Sequence, residues 1–197
     1  MEPISTTKNL ISLLVFSTPG VQSWLLSTVY GPFTATAKQS FWDSLHIEAD
    51  RFPGPWILNG DFNGVWASRD RSSNKRVDRG SKIMREALDN LGMLYIPSSG
   101  FYFTWSNNRQ GRNMINSSID RGVSNENWWG LFPNASIKLT PQSTSDHNSQ
   151  VLYCFGQHTF AKRPFRFEAA WVEDQRSYWV INRPGSPILT LVPLLSS

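Results

Sequence analysis

The chain has 197 residues, enough for one domain with a sizeable hydrophobic core. Hydrophobic residues make up 40% and charged residues 17%, a globular mixture that argues against a disordered or membrane-embedded chain. The net charge of +4 and pI near 9.4 suit a polyanionic partner without identifying one, and the single cysteine, Cys154, excludes an internal disulfide and any Cys-rich zinc site.

Taken in chain order, the first apolar run is Leu10–Phe16, preceded by Lys8 and followed by Thr18-Pro19-Gly20. It fits a short secretion signal as well as a buried strand. The strand is preferred, because the Pro-Gly turn leads into a second strand-like run, Trp24–Tyr30. Phe41, Trp42 and Leu45 then recur at helical spacing behind Thr34 and Thr36, which offer N-caps. Trp56–Leu58 reads as a strand, and Arg69–Lys82 as a polar loop. Six cations in that loop face only Asp70 and Asp78, so it is a solvated loop or a phosphate-contacting rim. Ile83, Met84, Ala87, Leu88 and Leu91 give a second helix, with Gly92 as its stop.

Four more strand-like runs follow: Phe101–Trp105, Met114–Val123, Ala135–Leu139 and Val151–Phe155, the last placing Cys154 as a buried small residue. No apolar run reaches the roughly 18 residues of a membrane span. Nine tryptophans are spread over separate segments and read mostly as core anchors. The order predicts a mixed α/β domain with a largely antiparallel second half. After Trp171 the pattern weakens into a tail broken by Pro184, Pro187 and Pro193.

Gly60-Asp61-Phe62-Asn63 sets a carboxylate and a carboxamide two positions apart where a strand opens into a loop. In isolation it reads as a strand-to-turn exit. Its chemical reading is a base or metal-shell carboxylate at Asp61, beside an Asn63 that orients water or a phosphate oxygen. Ser145-Asp146-His147 is a polar turn, or an imidazole facing a phosphate with a carboxylate fixing its ring. Asp120, in Ile119-Asp120-Arg121, is that carboxylate or the salt-bridge partner of Arg121 or of another surface base. His46, His147 and His158 lack any zinc spacing.

The ordered set Val29-Tyr30-Gly31-Pro32, Phe41-Trp42, Pro55 to Asn63, Phe103-Thr104-Trp105-Ser106-Asn107, Ile119-Asp120-Arg121 and Ser145-Asp146-His147 resembles the endonuclease/exonuclease/phosphatase family. More narrowly, it is similar to the endonuclease domain of plant LINE-type, non-LTR retrotransposon polyproteins; Trp128, Phe132-Pro133, Arg163 to Glu168 and Trp171 extend the match. The resemblance implies an α/β fold of two packed β-sheets flanked by helices, over a domain of residues 1–171 with an irregular tail at 172–197. It also implies a cleft that nicks DNA with Mg²⁺, in the nucleus if the family role is kept. In that cleft Tyr30 contacts the phosphate, Asp61 activates water, Asn63 positions it, and Asp120 orients His147. His147 stabilises the phosphorus centre, and Asp146 holds the metal or the histidine.

The family pattern also has an asparagine ending its first strand and a glutamate metal ligand on the next, both ahead of the tyrosine strand. Asn9 and Glu2 carry no motif that matches them, so the first strands of the fold and one metal ligand are expected to be missing. Gly64 and Asn148 stand where an acidic residue and a proline are usual. The expectation is an impaired nuclease, with a non-catalytic nucleic-acid-binding remnant or a product without function as alternatives.

Overall fold

The computed structural model describes residues 1–16, 22–73, 76–142 and 144–156, all within one compact unit, Met1–His158. The expected boundary at Trp171, the tail 172–197, the Arg163–Glu168 motif, Lys75 and the Pro19-Gly20 turn lie outside the described residues. The strands are β1 (Glu2–Thr6), β2 (Leu10–Val15), β3 (Trp24–Tyr30), β4 (Trp56–Asp61), β5 (Leu94–Tyr95), β6 (Ser98–Ser99), β7 (Trp105–Ser106), β8 (Asn116–Ser117), β9 (Asp120–Ser124), β10 (Ser136–Thr140) and β11 (Ser149–Tyr153). The helices are α1 (Ala35–Arg51), α2 (Arg79–Asn90) and α3 (Glu126–Leu131).

Six strands form one sheet in the order β1-β2-β3-β4-β9-β5, and three form a second in the order β11-β10-β6. Among the described residues, β3–β4 and β10–β6 are the parallel pairs; β3 returns to β4 through α1, the crossover that a parallel pair requires. The central strands are buried on both faces. Trp56 and Leu58 of β4 join α1 and α2 in one core with Phe41, Trp42, Met84 and Leu88. Ile57, between them, points the other way and packs with Trp24, Ile137, Leu139 and Trp128 against the second sheet. The fold is therefore the expected two-sheet sandwich with helices outside.

Each helix is delimited by its own sequence. The Thr34 hydroxyl accepts from the Ala37 amide and caps α1, while Asp78 accepts from the Ser81 amide at 2.9 Å and caps α2. Behind α2, Gly92 adopts φ +63; its amide reaches Asp89 O and that of Met93 reaches Leu88 O, closing a Schellman motif. Arg79 and Lys82, expected in the polar loop, thus belong to the first turn of α2.

Several expectations change. Phe101–Trp105 forms a strand only from Trp105 onward, with Phe101 and Tyr102 exposed. Met114–Val123 divides into β8 and β9, because the Thr104 hydroxyl takes the amides of both Ile119 and Asp120 and interrupts the ladder. Cys154 is half-buried in the turn after β11. Four elements had no periodic signal: β1, which is largely exposed, the two-residue strands β5 and β6, and α3, six residues long. α3 is fixed by Asn125, whose carboxamide oxygen accepts from both Trp56 N and Trp128 N at 3.0 Å. Trp42, Trp56 and Trp128 are fully buried, as core anchors should be.

Gly60 sits at φ +140, and a Cβ there would lie 2.3 Å from Val29 O. Gly60→Ala should destabilise the domain by about 2–4 kcal/mol in urea denaturation, since strained φ and a backbone clash act together. Gly130→Ala, in α3 with open space around its Cβ, should be neutral or slightly stabilising. Equal stability of the two variants would contradict this packing.

Candidate active site

Strand register assembles the site. Tyr30 ends β3 opposite Asp61, which ends β4, and Asp61 lies opposite Asp120, which begins β9. By strand alternation all three share the inner face, with Trp24, Ile57 and Gly122; a Cβ on Gly122 would lie 2.4 Å from Ile137 Cδ1. Asn9 extends the row by one strand: its carbonyl accepts the Tyr30 amide, and its Nδ2 donates to Tyr30 O at 2.6 Å. It carried no recognisable motif in the sequence, because only the pairing of β2 with β3 brings it here.

The turn after Asp61 is held tightly. The Asn63 amide donates to Asp61 Oδ1 at 2.7 Å, and its side-chain Nδ2 donates to Gly31 O at 2.6 Å. Asn63 takes φ +49, a left-handed conformation that asparagine tolerates. Lys38, buried in α1, donates to Asn63 O at 2.5 Å, and burial lowers its pKa. Periodicity could not give this lysine a role, since it falls on the buried face of an amphipathic helix.

His147 comes from the loop between β10 and β11, and its Nδ1 lies 3.0 and 3.1 Å from the two Asp120 oxygens. The Asp120 side chain is 10% exposed and that of His147 31%, so the carboxylate is shielded while the ring reaches solvent. The loop is pinned to the Phe103–Ser106 segment from several points. Trp105 bridges His147, Ser106 N donates to Asp146 O, and Asn148 donates through its amide to Thr104 O and through its side chain to Phe103 O. The Asn148 amide bond at 2.7 Å is one a proline could not make.

Asp61, Asp120 and His147 each bring one ligand atom within 4.8 Å of the others. Burial pushes the Asp61 carboxyl up to about 6, with the Asp120 charge adding to the shift and the Asn63 amide opposing it. Burial also raises Asp120, against the opposing effects of Thr104 and His147. Two neighbouring carboxylates that resist ionisation form a pair whose charge a cation would relieve.

The other assignments separate. Asp146 is outside this cluster, and its Oδ2 accepts from Trp105 Nε1 at 2.9 Å. Arg121 is not the salt-bridge partner of Asp120. Strand alternation sends it to the helix side, where it donates to Gly64 O, Ser118 O and the Tyr95 hydroxyl. Asp70 accepts from the Trp66 and Ala67 amides and Asp78 caps α2, so both acidic groups of the basic loop organise backbone.

No protein-family profile and no curated protein matches the chain. Solved structures do. The endonuclease domain of TRAS1, a telomere-specific non-LTR retrotransposon, superposes with a TM-score of 0.58 at 20% identity, over 75% of this chain and 64% of that one. The 3′-5′ exonuclease NExo from Neisseria meningitidis gives 0.55 at 18%, over 74% and 64%. A NExo 3′ phosphatase from Neisseria bound to product DNA hairpin gives 0.57 at 17%, over 76% and 65%. This chain thus spans a little under two thirds of the length of each. The architecture and the ordered motifs agree, and the chain has the endonuclease/exonuclease/phosphatase fold.

Proposed function

We propose that this chain is a divalent-cation-dependent phosphodiesterase domain of the retrotransposon endonuclease type that nicks DNA, impaired relative to that type because no glutamate joins Asp61, Asp120 and His147 among the described residues. The observation that carries this reading is the convergence of Asp61, Asp120 and His147 from two adjacent strands and a pinned loop. The fold shared with a retrotransposon endonuclease domain and with a 3′ phosphatase bound to a product DNA hairpin supports the substrate class.

The donor set fits a hard cation: Asp61 and Asp120 offer carboxylate oxygens beside one imidazole. Mg²⁺ bound there would neutralise a non-bridging phosphate oxygen and acidify a water. Asp61, with Oδ1 engaged by the Asn63 amide, presents Oδ2 to the cation or accepts the proton of the attacking water. Asn63, locked by its bond to Gly31 O, aligns that water. Asp120 holds Nδ1 of His147, so that Nε2 faces the phosphate and meets charge developing there. Tyr30 places its hydroxyl on the phosphate from the neighbouring strand. Asp146, anchored by Trp105, steadies the loop that carries His147, the second of its two expected roles. Two carboxylates hold Mg²⁺ loosely, so half-saturation on the order of millimolar Mg²⁺ is expected.

Purified protein should nick supercoiled plasmid in Mg²⁺, and Asp61→Asn or His147→Gln should each lower the rate by about 10²- to 10⁴-fold. Wild-type nicking no faster than that of both variants would sink the proposal.

The raised Asp61 carboxyl makes a separate prediction about stability. A folded-state value of about 6, above the ordinary 3.8, favours folding at low pH, and that contribution is lost as pH rises through 6. Asp61→Asn should therefore be more stable than wild type at pH 7–8, by about 1–3 kcal/mol without added metal. The gap should close on acidification towards pH 4. A variant less stable than wild type at pH 7–8 would show that Asp61 is structural rather than strained for function.

A further inference from the structure

We propose that Phe33, backed by Tyr30, forms a stacking platform for an unpaired nucleobase beside the phosphodiester presented to Asp61 and His147. This rests on the nucleic-acid reading above and adds a binding subsite to it. Phe33 is 71% exposed and Tyr30 52%, and their rings meet edge to face with centroids 5.9 Å apart. Two large rings facing solvent side by side forgo burial that each could otherwise gain.

A structural use for Phe33 would be the hydrophobic staple, in which the residue before a helix N-cap packs on the fourth residue of the helix. Phe33 occupies that position ahead of Thr34, but the fourth residue is Lys38, whose ammonium is committed to Asn63 O. That position thus offers the ring no apolar side chain to staple to, and 71% of Phe33 stays exposed.

Its backbone, in contrast, is fixed on both sides. Gly31 N donates to Asp61 O at 2.7 Å and Gly31 O accepts from Asn63 Nδ2, while a Cβ on Gly31 would lie 2.4 Å from Phe62 O. Pro32 is buried, and Thr34 caps α1. The same contacts that place Asp61 and Asn63 thus place Phe33, and a ring held this way loses little freedom on binding. A nucleobase offers a planar face to such a ring whatever its sequence. An unpaired base is required, because in an intact duplex both faces are already stacked.

The test is fluorescence anisotropy of a labelled single-stranded oligonucleotide in EDTA at low salt, where binding is read without cleavage. Phe33→Ala should weaken binding about 5- to 100-fold, and Phe33→Trp should restore it. Replacing single bases of the oligonucleotide by abasic sites should reveal a position that weakens wild type by a similar factor and leaves Phe33→Ala unaffected. An unchanged thermal melt of Phe33→Ala would accompany this, since its ring is exposed. If wild type binds and Phe33→Ala binds equally well, the platform is overturned, the nucleic-acid reading stands, and the exposed pair is reassigned to a protein contact. If wild type does not bind the oligonucleotide, the platform and the nucleic-acid reading fail together.

Discussion

The register between β3, β4 and β9 is the constraint on which the site depends. Parallel pairing sets Tyr30 against Asp61, and antiparallel pairing sets Asp61 against Asp120, so three polar side chains leave one face at one end of the sheet. The register is enforced below them by burial on both faces, with Trp56 and Leu58 turned towards the helices and Ile57 towards the second sheet. A slip of one residue would turn Asp61 into the helix core and Leu58 into the cleft. Gly60 at φ +140, lying on Val29 O, and Gly122 beneath Ile137 fit this one alignment.

Packing that fixes the site also strains it electrostatically. Asp61 and Asp120 are held close together in a partly desolvated corner, and burial raises both carboxyls above their ordinary range. The surrounding polar network lessens this without removing it: the Asn63 amide serves Asp61, while Thr104 and His147 serve Asp120. Such an arrangement lowers stability at neutral pH and favours a cationic ligand, a combination found where a fold is shaped for chemistry rather than for stability.

Much of this was legible in the sequence, for identifiable reasons. Strand β3 and the α2 stop at Gly92 stand as read, because apolar runs and helical spacing there are undisturbed by tertiary contacts. The motif resemblance pairs Asp120 with His147, 27 positions away, and the fold brings the two within 3.0 Å. What escaped was what only three dimensions supply. Asn9 and Lys38 reach the site through neighbouring elements, and α3 is too short to show a period. Adjacency makes Arg121 a candidate partner for Asp120, yet successive residues of a strand point to opposite faces. Phe101 to Thr104 looked like a strand by composition, but the Thr104 hydroxyl is spent on two amides of the neighbouring segment.

The central claim is that Asp61, Asp120 and His147 form one cation-dependent site. Anomalous diffraction from crystals soaked in Mn²⁺ tests it most directly, because Mn²⁺ takes the same hard oxygen donors as Mg²⁺. The account predicts one strong peak within coordination distance of a carboxylate oxygen of Asp61 or Asp120, lost in Asp61→Asn crystals. Mn²⁺ bound elsewhere while this cluster stays empty would contradict it.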